Sequence, residues 1–100
     1  MNLTDLALVG YYIADSLGWN GVDNQQMVNF LARIGEDGGL DTQRFSNDIQ
    51  RPLRSGDAQS PKYIVSIVER TGGPEGQRGV WQITDQGRAR AENLLTNLFD

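Results

Sequence analysis

Arg44, Asn47 and Arg51 recur at i, i+3 and i+7, a spacing that places side chains on one face of an α-helix. Around them stand Gln43, Ser46, Gln50 and Arg54. Nearly all are hydrogen-bonding groups, and the charged ones are arginine. Such a face suits one kind of chemistry. The amides of Gln43, Asn47 and Gln50 can match the N6/N7 edge of adenine, and guanidinium groups can fork onto guanine or phosphate. Lys62, with Gln77 and Arg78 further along, would add contacts to a phosphate backbone. A merely solvated polar helix has the same composition, so the surrounding elements must decide.

Other chemistries find few residues to work with. The chain has no histidine and no cysteine. That removes the commonest general base, the usual zinc ligands and any disulfide framework. No glycine pattern followed by Lys-Ser or Lys-Thr occurs, so no phosphate-cradling nucleotide loop is legible. The Gly-rich stretch "TGGPEGQRG" (Thr71 to Gly79) leads into a strand pattern and lacks the helix dipole that a phosphate cradle uses. A metal-dependent nuclease wants several acids and a lysine around the ion. Here the only adjacent acids are Glu36 and Asp37, and Lys62 is the sole lysine. The expectation is a protein that is not an enzyme, with no cofactor, metal or small-molecule substrate.

Charge is unevenly spread. The net charge is −4, from thirteen acids and nine bases. Residues 1–40 hold five acids and one base, whereas residues 42–90 hold eight bases, seven of them arginine, and five acids. An acidic front and a mildly basic back result, a polarity that ordinary surface variation also produces. An acidic mimic of nucleic acid would not dilute its carboxylates with so many bases. The longest apolar run, Leu6 to Ala14, is too short to span a bilayer. Asp5 precedes it, where a secretory signal would carry Lys or Arg. A cytoplasmic protein without a membrane partner is expected, and one hundred residues suit a single domain spanning 1–100.

Periodicity supplies the elements. A first helix is predicted over Leu3 to Leu17 with Leu6, Val9, Ile13 and Leu17 as its apolar stripe, broken by "GWNG" at Gly18 to Gly21. Asp23 and Gln26 form a capping-box pattern for a second helix, with Val22 and Met27 as its staple. Met27, Phe30, Leu31 and Ile34 follow at helical spacing, and "GEDGG" (Gly35 to Gly39) should end it. Asp41 is the predicted N-cap of a third helix that turns Phe45, Ile49 and Leu53 inward. Pro52 cannot donate to the Asp48 carbonyl, so that helix should end or kink near Arg51. "SGDAQSP" (Ser55 to Pro61) reads as a loop, and "KYIVSIVER" (Lys62 to Arg70) as a β-branched, alternating strand. Thr71 to Gly79 suits a long hairpin tip, and "VWQI" (Val80 to Ile83) the returning strand. Thr84 then caps a last helix carrying Leu94, Leu95, Leu98 and Phe99. Those four can close the monomer's own core or form a homodimer interface. Tyr63 and Trp81 are read as packing residues, with base stacking the rarer alternative; Tyr11 and Trp19, flanking the first helix, are likewise read as packing, with a partner-facing role the alternative.

Three helices, a two-stranded hairpin wing and a C-terminal helix give an α+β chain in the order of a winged helix-turn-helix. The phrase "GVWQITDQGR" resembles the one with which multiple-antibiotic-resistance-regulator and PadR-like repressors leave their wings. It is closer still to the N-terminal winged-helix domain of Mrr-type restriction proteins, the matching positions being Gly79, Trp81, Ile83, Thr84 and Gly87. This match covers about twenty residues and is architectural elsewhere. It implies a module that binds double-stranded DNA for regulation, or as the recognition domain of a restriction or defence system. The third helix would enter a major groove and the wing would lie along the backbone. The candidate DNA-binding residues are then Gln43, Arg44, Ser46, Asn47, Gln50, Arg51, Arg54, Lys62, Gln77 and Arg78. The rival reading keeps the fold for protein interaction or dimerisation without DNA.

Overall fold

In the computed structural model, residues 2–35, 39–56, 62–68 and 79–99 are described. Helix α1 spans Leu3–Ser16, with the Asn2 side chain accepting from the Asp5 backbone N–H at 2.8 Å as its N-cap. It ends just before Gly18, whose φ of +84° is a left-handed geometry that glycine adopts without strain. The inward face differs from the expected stripe. Ala7, Leu8, Val9, Tyr11 and Ala14 are buried, whereas Ile13 and Leu17 are 43% and 69% exposed. The physical reason is close helix approach. A Cβ on Gly10 would stand 2.8 Å from the Phe30 ring, so the small residues of α1 face its neighbour and displace the larger ones to the rim. Tyr11 is core, as read; Trp19 is 48% exposed.

Strand β1, Val22–Asp23, leads directly into helix α2, Asn24–Gly35. The capping box is present in both directions: the Gln26 N–H donates to Asp23 Oδ1 at 2.8 Å, and the Asp23 N–H to Gln26 Oε1 at 3.0 Å. Met27, Val28 and Leu31 are buried, Phe30 packs on the core, and Ile34 is 49% exposed. The predicted stop spans Gly35 to Gly39: α2 is described to Gly35, and residues 36–38 lie outside the described residues.

Helix α3 covers residues 42–54 in three parts. Thr42–Arg44 and Arg51–Arg54 are α-helical, and Phe45–Gln50 between them is a π-helix. Asp41 caps it, its carboxylate accepting from the Arg44 N–H at 2.7 Å. The helix therefore does not end near Arg51. Pro52 lacks the N–H that an α register would need. The wider i→i+5 register just before it shifts the hydrogen-bond ladder, and the chain continues to Arg54.

Strands β2, Ile64–Ser66, and β3, Val80–Ile83, pair antiparallel with Ile64 opposite Ile83 and Ser66 opposite Trp81. The predicted strand from Lys62 is shorter than expected: Ile67 and Val68 already have helical geometry, and Glu69 and Arg70 lie outside the described residues. The hairpin also gains a third strand. β1 pairs with the other edge of β3, Val22 opposite Trp81, giving the order β1-β3-β2. The predicted hairpin tip is undescribed from Thr71 to Arg78.

Helix α4, Asp85–Phe99, begins directly after Thr84, the predicted cap. The Thr84 hydroxyl accepts from the Gly87 N–H at 3.0 Å and donates to the Lys62 carbonyl at 2.6 Å. The Thr84 N–H donates to the Tyr63 carbonyl at 2.9 Å. A Cβ on Gly87 would collide with that same Tyr63 carbonyl oxygen. Thr84 and Gly87 thus clamp the last helix against the chain that leads into β2. Among the described residues the fold is α+β: helices α1 to α4 and a small three-stranded antiparallel sheet stand around one core cluster that includes Leu8, Tyr11, Leu31, Phe45 and Ile83.

Candidate nucleic-acid interface

Helix α3 presents two unlike sides. Gln43, Arg44, Asn47 and Arg51 are exposed, as the sequence spacing predicts. Gln43, Arg44 and Asn47 meet in a shallow recess of about 260 Å³, which Asp41 and Asp48 complete. Arg51 lies outside that lining. The recess mixes one guanidinium, two amides and two carboxylates. It is polar but not the wholly positive surface that the arginine content suggested.

Gln50 is corrected most sharply. Expected on the outward face, it is 1% exposed. The π register explains this, because residues four and five apart both follow Phe45 inward, carrying Gln50 beside Ile49. A buried amide costs free energy unless its hydrogen bonds are made. Gln50 Nε2 donates to the Tyr11 hydroxyl at 3.0 Å and to Asn24 Oδ1 at 2.9 Å, and Gln50 Oε1 accepts from Arg54 Nη1 at 2.7 Å. Among the described residues no buried side-chain polar atom lacks a partner.

Arg54 belongs to this cluster and not to the open face. It is half-buried, and its Nη1 donates to the Ser46 carbonyl at 2.6 Å and approaches Ser46 Oγ at 3.2 Å. Its guanidinium lies over the Trp81 ring, 5.9 Å from the centroid, within cation–π range. The candidate contacts Ser46 and Arg54 are thereby turned to one another, and Trp81 ties α3 to the central strand. Burial drives the Tyr11 hydroxyl well above the usual tyrosine range, while the Gln50 hydrogen bond and the Arg54 charge pull it partly back. Lys62 is half-buried at the start of the segment leading into β2 and is already engaged. Gln77 and Arg78 lie outside the described residues.

The proposed dimer residues divide as well. Leu94 packs on the monomer's own core, Leu95 is half-buried, and Leu98 is 60% exposed. The Phe99 side chain lies outside what is described.

A second surface went unread in the sequence. Between α1 and α2 runs an apolar groove of about 240 Å³, lined among others by Ile13, Leu17, Trp19, Met27 and Phe30. The signal is present as large apolar residues whose helical spacing reads as core, and Trp19 alone among these five carries a partner-facing alternative in the sequence. Among the described residues no group of three or more acids could hold a metal ion, and no helix is long and apolar enough to cross a membrane. No family model, curated protein or solved structure matches the chain.

Proposed function

We propose that the chain is a winged-helix module that binds double-stranded DNA, with the N-terminal half of α3 reading base edges. The observation that carries this reading is the recess where Gln43, Arg44 and Asn47 stand together, exposed, at the start of a helix held rigidly from behind. Helix-turn-helix proteins read bases with the N-terminal residues of their recognition helix. The order of helices and hairpin supports the winged form, and the phrase from Gly79 to Arg88 supports a recognition role in a restriction or defence system. Ser46, Gln50 and Arg54 take a different part: they fix the rotation of α3 and leave Gln43, Arg44, Asn47 and Arg51 to face the duplex.

The test is duplex binding across a range of salt. Contacts to phosphate release counterions, so affinity should fall linearly on a log–log plot as salt rises. Removing one phosphate contact reduces the slope by about 1, so Arg51→Ala should flatten it. Arg44→Ala should instead weaken binding to a preferred duplex. Absence of duplex binding at low salt would sink the proposal.

The apolar groove favours a second reading, in which the same fold serves protein association without DNA. Ile13, Leu17 and Trp19 expose large apolar side chains on one groove, the kind of surface that marks interaction sites. In this reading the association surface is α1 and α2 and not only the leucines of α4.

A further inference from the structure

The α3 recess contains a group that a surface built only for phosphate would exclude. Asp48 is exposed, follows Arg44 by four residues, and lines the recess with Gln43, Arg44 and Asn47. Asp41, the other acid there, is committed to capping the helix through the Arg44 N–H. Asp48 sits within the π-helical segment and holds no helix end. Its carboxylate is therefore set among base-reading side chains with no structural duty at a cap.

Facing a duplex, that carboxylate is repelled by every phosphate and can only accept hydrogen bonds. The major-groove edges then discriminate sharply. Guanine presents two acceptors and thymine an acceptor and a methyl group, so neither offers it a proton. Adenine offers the N6 amino group but sets the N7 acceptor beside it, against the second carboxylate oxygen. Cytosine offers the N4 amino group as its only polar feature. We propose that Asp48 is a specificity-determining residue that selects cytosine, and that the target duplex holds a C·G pair whose cytosine faces it. This inference rests on the DNA-binding reading.

The experiment selects duplexes from a randomised pool with the wild-type chain, then measures affinity for the preferred duplex and for versions with each base at every position. Asp48→Ala and Asp48→Asn are measured alongside, with circular dichroism to verify folding. The expected wild type prefers cytosine at one position by about fivefold or more, the size of one good base contact. Asp48→Ala should level that position alone and leave affinity for unrelated duplex unchanged or higher, since a repulsive charge is gone. Asp48→Asn should move the preference there toward adenine, whose N6/N7 edge matches a side-chain amide. A purely structural role for Asp48 predicts no such switch. Retention of the same cytosine preference by Asp48→Ala, or a wild type without any cytosine position, overturns this inference while leaving DNA binding standing. A wild type that binds no duplex overturns the DNA reading and the inference together.

Discussion

Gln50 shows how one residue can reverse its assignment. On a helix of 3.6 residues per turn it belongs with Asn47 and Arg51 at the surface, whereas in the π register it points at Tyr11 and Asn24. The amide then supports the exposed face of α3 from behind without belonging to it. Tyr11 gives this cluster a pH signature. Burial first of all raises its folded-state value above the unfolded one, about 10, so the folded chain holds the proton more tightly. The stabilisation is complete below about pH 10 and is lost as pH climbs beyond it, by up to about 1.4 kcal/mol per pH unit. Urea denaturation on the alkaline side should reveal that decline, and Tyr11→Phe should flatten it. Equal slopes for the two proteins would show that the hydroxyl is not held in its neutral form.

At the scale of elements, what was legible was local. Asp23 with Gln26, Asp41 and Thr84 each satisfy backbone donors within three residues of themselves, and each cap stands where the residue types predict it. The strand Val80–Ile83 was equally readable from its alternation. What escaped depends on partners far along the chain. The inward face of α1 was chosen by the Phe30 ring meeting Gly10, and the third strand by Val22 finding Trp81, neither of which periodicity registers. Pro52 did signal trouble in α3, but a missing donor can be met by ending the helix or by widening it, and only tertiary packing selects the second. Of the candidate site, exposure was legible for Gln43, Arg44, Asn47 and Arg51, while the burial of Gln50 was hidden by the same change of register. The resemblance phrase acquires a physical meaning here. Gly87 is glycine because the Tyr63 carbonyl occupies the space of its side chain. Gly87→Ala should therefore cost more than about 2 kcal/mol, because a rigid backbone must move. Thermal unfolding of that variant beside Ala89→Gly, a change at an exposed position of the same helix, separates the collision from helix propensity. The propensity term alone is about 1 kcal/mol.

For the molecule as a whole, the largest unresolved imbalance is apolar. The ion pair between Arg88 and Asp15 joins α4 to α1, yet its side chains are 43% and 29% exposed, and such pairs contribute about 0–1 kcal/mol. The groove of Ile13, Leu17 and Trp19 leaves far more free energy available to association. Sedimentation over a range of concentration should resolve which surface acts. If the chain self-associates through the groove, Leu17→Ser should return it to monomer and Leu98→Asp should not; the reverse pattern would assign the contact to α4. A monomer at every concentration removes self-association altogether. The sheet order carries a different kind of consequence. Its middle member is the last strand in the chain, so Val22 and Ile64 both await residues 80–83 before either has a ladder. On a ribosome, the early helices can collapse while two solitary edges remain open, and the architecture closes only after Ile83 emerges. Synthesis that stalls before that point would release a chain with nothing at the heart of its sheet, a substrate for chaperones and proteases rather than a smaller working domain.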